Sequence, residues 1–138
     1  MARAAKARAF VLTAPEPVED DIQAGVVSML KIALPEAVEW THFPAGFLKT
    51  KDPLSAILNL QRLTKLGFKK GRPDLQFVYA GRIYYIEMKT RLGTLGDEQE
   101  KFRDWCLKYE TPWALCRSAK EVYDALVKWQ LPVRYIVF

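Results

Sequence analysis

Between Leu75 and Thr90 the chain has few ways to fold. Leu75 to Tyr79 and Arg82 to Thr90 are both rich in β-branched, aromatic and other apolar residues, and only Ala80-Gly81 separates them. So short a connection closes two strands into an antiparallel hairpin. Side chains alternate along a strand, so Glu87 and Lys89 project to one side with Ile83 and Tyr85. Tyr84, Ile86 and Met88 take the other side. A hairpin of this kind is marginal alone, and the rest of the chain has to cover it.

The flanking segments supply that cover. Val18 to Leu34 has helical spacing, with Ile22, Val26, Met29, Leu30 and Ala33 on one face and Pro35 as its stop. Ala37 to Phe43 reads as a strand. A second helix is expected from Pro53 to Leu66, closed by Gly67. A third runs from Asp97 to Tyr109, with Phe102, Trp105 and Tyr109 inward. Trp113 to Arg117 reads as a strand, and Ser118 caps a fourth helix, Ala119 to Trp129. Val133 to Phe138 reads as a last edge strand. The expected fold class is α/β: one central mixed β-sheet flanked by α-helices. Residues 1–17 read as a basic, flexible arm and 18–138 as one domain.

Composition narrows the function. A chain of 138 residues, half of them hydrophobic, builds one core, not two. No apolar run is long enough to span a bilayer, and none follows the basic start as in a secretory signal. A soluble, cytoplasmic protein is expected (in the host cytoplasm if the source is viral), with no membrane partner. Cys106 and Cys116 lack ligand spacing and read as core thiols. The net charge of +5 suits a phosphate-bearing partner. Lys49, Lys51, Arg62, Lys65, Lys69, Lys70 and Arg72 form a basic approach to Pro73-Asp74.

That dipeptide belongs to the chemically informative stretch. Asp74 opens the first strand of the hairpin and Glu87 and Lys89 lie near the end of the second, so two carboxylates and an ammonium meet at one end of a sheet. Hard oxygen ligands suit Mg²⁺ or Mn²⁺, and Mg²⁺ takes only one or two carboxylates beside its waters. The ordinary alternative is a solvated Glu87–Lys89 pair on an exposed strand. Against it, so apolar a strand seldom carries two charges without use.

Here the chain resembles a known family. Pro73-Asp74, then Glu87-x-Lys89, matches the signature of PD-(D/E)XK nucleases, and the surroundings resemble their VRR-Nuc branch. The matching elements are Glu19-x-x-Ile22-Gln23, the loop His42-x-Pro44-x-Gly46, Gly71-x-Pro73-Asp74, Glu87-x-Lys89-x-x-x-Gly93, and Gln99 on the next helix. They span about Glu19 to Trp129. Two positions depart from the pattern: Gly96 stands where a serine cap is common, and Ala45 replaces the loop asparagine.

The resemblance implies a restriction-endonuclease-like core and divalent-metal hydrolysis of phosphodiesters, structure-selective for branched, junction or flap DNA. It implies Asp74, Glu87 and the Met88 backbone carbonyl as metal ligands, Lys89 as the catalytic lysine, Glu19 as a further carboxylate, and Gln99 orienting water or phosphate. Lys49, Lys69, Lys70, Arg72, Arg91 and His42 are the expected DNA contacts. It points also to a homodimer, which the apolar run Tyr135-Ile136-Val137-Phe138 favours. Cleavage of RNA, and a DNA-binding module without catalysis, stay open.

Overall fold

A computed structural model describes residues 19–43 and 52–138; the expected arm, the His42–Gly46 loop beyond Phe43, Lys49, Lys51 and the side chain of Glu19 lie outside the described residues. Among the described residues the order is α1 (Glu19–Ala33), β1 (Glu39–His42), α2 (Pro53–Lys65), β2 (Leu75–Tyr79), β3 (Arg82–Met88), α3 (Asp97–Lys108), β4 (Trp113–Cys116) and α4 (Ala119–Lys128). The protein is mixed α/β. Its four strands form one sheet in chain order, with β1, β2 and β3 antiparallel and β4 parallel to β3.

The hairpin forms as expected. Tyr79 pairs with Arg82, and Ala80 and Gly81 both take positive φ, 49° and 77°. Positive φ at both central residues is the twist-matched form of a two-residue turn. On one face of the sheet, Leu75, Phe77, Tyr84, Ile86 and Met88 meet Val26, Met29, Leu30 and Ala33 of α1 and Val122 and Leu126 of α4. This is the main hydrophobic core. On the other face α3 covers the sheet, with Phe102 edge-on to Tyr85 at 5.1 Å between ring centroids. Helix α2 buries none of its residues. Its start is local chemistry: the Asp52 carboxylate accepts from the Leu54 N–H at 3.1 Å and from the Ser55 hydroxyl at 2.7 Å, and Pro53 follows.

Two expectations fail. Residues 133–138 form no strand. Instead the Arg134 N–H donates to the Ala33 carbonyl at 2.8 Å, and the Tyr123 hydroxyl donates to the Arg134 carbonyl at 3.2 Å. The segment therefore satisfies an orphan carbonyl at the end of α1 rather than a sheet edge. Trp105 and Tyr109 do not turn inward either: they are 49 % and 58 % exposed, while Phe102 is buried. The other buried residue of that helix, one turn on from Phe102, is Cys106.

Both cysteines are buried thiols, as expected. Burial pushes the Cys116 thiol up to about 12, with Glu121 and Asp124 adding to the effect. Burial also raises Cys106, against the opposing charge of Arg72. No helix among the described residues is long and apolar enough to cross a membrane.

Candidate active site

The hairpin register places the two carboxylates. Leu75 pairs with Ile86, so Asp74 stands one step further on, opposite Glu87. Paired residues share a face, and for this pair it is the α3 side. Both are buried, Asp74 at 8 % and Glu87 at 2 % exposure, and no other charged residue is buried among the described ones. A carboxylate cut off from water needs compensating donors.

Asp74 takes its donor from the partner strand. Its Oδ2 accepts the Met88 backbone N–H at 2.7 Å, and its own carbonyl accepts the Phe43 N–H at 2.7 Å. Asp74 is thereby tied to β1 and β3 at once, while Oδ1 receives no donor among the described residues. The Met88 side chain is fully buried in the core, so only its backbone faces this end of the sheet.

Glu87 is held by two side chains. Gln99 Nε2 donates to Glu87 Oε1 at 2.9 Å, and Lys89 Nζ lies 3.6 Å from the same oxygen. Gln99 Oε1 in turn accepts the Gly96 N–H at 2.9 Å. This fixes which way the amide points: its oxygen faces an N–H and its nitrogen a carboxylate. Gly96 has no side chain with which to cap α3, as expected, and Gln99 supplies the reciprocal half of a capping interaction. The expected role for Gln99 was orienting water or phosphate; here it orients Glu87.

The loop before Asp74 is pressed against the first turn of α3. Gly71 has φ +85°, and a Cβ there would lie 2.4 Å from the Glu98 carbonyl oxygen. Just beyond it, the Arg72 guanidinium sits 4.4 Å from the centroid of Phe102. Lys69, Lys70 and Arg72 are exposed on this loop, and Arg62 and Lys65 are exposed on the last turn of α2. Arg91 is exposed in the turn after Lys89. His42 pairs with Leu75, which puts its imidazole on the α1–α4 face, across the sheet from Asp74 and Glu87.

One positioning residue escaped the sequence. Arg117, just past β4, donates through Nη1 to the carbonyls of Gly93 at 2.8 Å and Arg91 at 3.2 Å, and also to that of Thr90. It gathers the turn that follows Lys89 around one guanidinium. The only sequence signal was a cation at the end of an apolar strand.

As a donor set, the site offers two carboxylates and the Met88 backbone beside them. No group of three or more His, Cys, Asp or Glu side chains arranged to hold a metal occurs among the described residues. Two carboxylates completed by carbonyl and water still fit Mg²⁺, which keeps several waters, and do not fit a structural zinc. In comparisons with known proteins, no family model matches this chain, and no curated protein or solved structure matches it either.

Proposed function

We propose that this protein is a divalent-metal-dependent DNA endonuclease with a PD-(D/E)XK core of the VRR-Nuc kind, acting on branched, junction or flap DNA. One observation carries the reading. Asp74 and Glu87, thirteen positions apart in the chain, are buried face to face at one sheet end with Lys89 Nζ 3.6 Å from Glu87. A structural role alone does not account for so costly an arrangement, since an apolar pair would pack there without desolvation.

Asp74 and Glu87 are the residues that would hold Mg²⁺ or Mn²⁺, with the Met88 carbonyl as a further oxygen ligand. The ion would supply Lewis acidity toward a phosphodiester and an attacking water. Lys89 stands where its ammonium can orient that water or stabilise negative charge developing on the phosphate. Gln99 keeps the Glu87 carboxylate aimed, and the Asp74–Met88 bond fixes the other ligand. Lys69, Lys70 and Arg72 supply cations to neighbouring phosphates. Glu19 is a further proposed carboxylate, and Lys49, Arg91 and His42 are proposed contacts at the edge.

We take the working form to be a homodimer, because cutting both strands of a symmetric junction needs two sites. Exposed Tyr135 and Val137 support it, as does exposed Ile32 beside the end of α1. Light scattering with and without junction DNA tests the dimer.

The activity is tested by incubating the protein with Mg²⁺ or Mn²⁺ and a panel of duplex, flap, junction and RNA substrates. Cleavage should need the ion. It should vanish in Asp74→Asn and Glu87→Gln and fall steeply in Lys89→Met, with folding checked by circular dichroism. Full activity in excess EDTA, or a wild-type rate in Lys89→Met, refutes the assignment.

A further inference from the structure

The half-exposed aromatics of α3 are not isolated. Phe102 and Trp105 stack nearly parallel, 15° apart with centroids 5.8 Å distant, and Trp105 and Tyr109 follow at 5.4 Å. Phe102 is itself anchored on Tyr85, so the Trp105 plane is braced from the core outward. Trp105 is 49 % exposed at the hairpin end of β3. A cleft of about 310 Å³ remains there, lined by the Gly81–Ile83 end of the hairpin, Tyr85, Trp105 and the turn Glu110-Thr111-Pro112, with Glu110 as its one carboxylate. That is the lower end of the roughly 300–1,000 Å³ of small-ligand sites, room for one planar ring system.

We propose that this cleft seats an unpaired base of a single DNA strand, stacked on Trp105. The inference rests on the nuclease reading for its substrate and names the part of that substrate the site selects. Charge favours a nucleic-acid strand over an apolar peptide. Cations outnumber that carboxylate along this side of α3: Arg82 lines the cleft and donates through Nη2 to the Glu110 carbonyl at 3.2 Å, Arg72 lies over Phe102, and Lys108 Nζ is 5.4 Å from the Tyr109 ring centroid. Single-strand sites combine such cations for phosphates with ring platforms for bases. An apolar partner would instead strip water from these cations and give them no carboxylate in return.

The cleft also continues the face of the carboxylates. Ile83 and Tyr85 precede Glu87 by four and two residues on the same side of β3, and Gln99 and Phe102 flank them on α3. At about 3.4 Å per strand residue, Ile83 is roughly 14 Å from Glu87, or about four stacked nucleotides. A strand with one phosphate at Asp74 and Glu87 would reach Trp105 with a base a few nucleotides away. Trp105 is already stacked on Phe102, so little ordering entropy opposes the base.

The test is fluorescence anisotropy with labelled twelve-nucleotide oligo(dT) and a blunt duplex of equal length, in EDTA, where binding is read without cleavage. Trp105→Ala should weaken oligo(dT) binding about ten-fold and leave duplex binding unchanged, and Trp105→Phe should keep most of the affinity. Because Trp105 is half exposed, both variants should fold, which circular dichroism checks. The proposal is overturned if wild-type protein does not bind oligo(dT). It is overturned equally if Trp105→Ala binds it as wild type does, or loses single strand and duplex alike. Dissociation of a dimer in Trp105→Ala with unchanged oligo(dT) binding would give the cleft to a second copy instead. A Trp105-dependent affinity in a protein that cleaves nothing would sink the nuclease reading and leave this one standing.

Discussion

Gly71→Ala isolates the contact that sets Asp74 beside α3. A Cβ at this position would lie 2.4 Å from the Glu98 carbonyl oxygen and 2.5 Å from its carbon, about 1 Å inside ordinary contact at 3.4 Å. The obstacle is backbone, so no rotamer change relieves it. Two terms add. Holding an alanine at φ +85° costs about 1–2 kcal/mol. Pushing the loop off the helix costs about 1–3 kcal/mol more, as overpacking does elsewhere. At about 2.1 cal/mol/K of unfolding entropy per residue, 138 residues turn 2–5 kcal/mol into a fall in Tm of roughly 7–17 °C. Gly67→Ala is the matched control: its φ is +95°, yet a Cβ there meets nothing within 4 Å. It should pay only the backbone strain, roughly 3–7 °C. Gly25→Ala, in mid-helix with open space around it, should gain up to about 1 kcal/mol. Differential scanning calorimetry reads all three. Metal-supported cleavage should drop only in Gly71→Ala, because displacing the loop loosens the bond from Asp74 to the Met88 N–H. If Gly71→Ala melts with Gly67→Ala, the loop does not press on α3 and the site's geometry is wrong.

Two further outcomes are expected. Gln99→Leu should lower metal-supported cleavage about 10–100-fold, as loss of a ligand-orienting partner does, with little change in oligo(dT) affinity; an unaltered rate would make the amide a helix cap and nothing more. Alkaline stability is the second. Burial holds the Cys116 thiol up to about 12, against an ordinary value of 9.0. The native thiol then keeps its proton where the unfolded one releases it, so stability is level below about pH 9 and falls toward pH 12, by at most about 1.4 kcal/mol per pH unit for this group. Urea melts at pH 8 and pH 10.5 should show a steeper loss in wild type than in Cys116→Ala; equal losses would contradict it.

Local chemistry carried most of the secondary structure. Ala80-Gly81 could only close a tight hairpin, and with its register set, Asp74, Glu87 and Lys89 were bound to share one end and one face. Asp52-Pro53 started α2 and Ser118 started α4 by capping interactions that need no tertiary partner: the Ser118 hydroxyl accepts the Glu121 N–H at 3.1 Å. The apolar faces of α1 and of β3 were equally visible, since periodicity alone separates Tyr84, Ile86 and Met88 from Glu87.

Packing decided the rest, because it depends on what lies opposite a residue and not on the residue itself. The apolar run at 133–138 has the composition of a strand, yet the Ala33 carbonyl takes the Arg134 N–H. Trp105 and Tyr109 share helical spacing with buried Phe102, but the sheet ends in its hairpin turn beneath them and leaves them open to solvent. His42 ends β1 close to Asp74, and the β1–β2 register turns it to the far face. Arg117 found its carbonyls in a turn more than twenty residues away in the chain. Residue type and spacing put two carboxylates and a lysine on the strands of one hairpin. That Gln99 holds Glu87 and Gly71 abuts α3 depends on how α3 docks on the sheet, and no local signal encodes that.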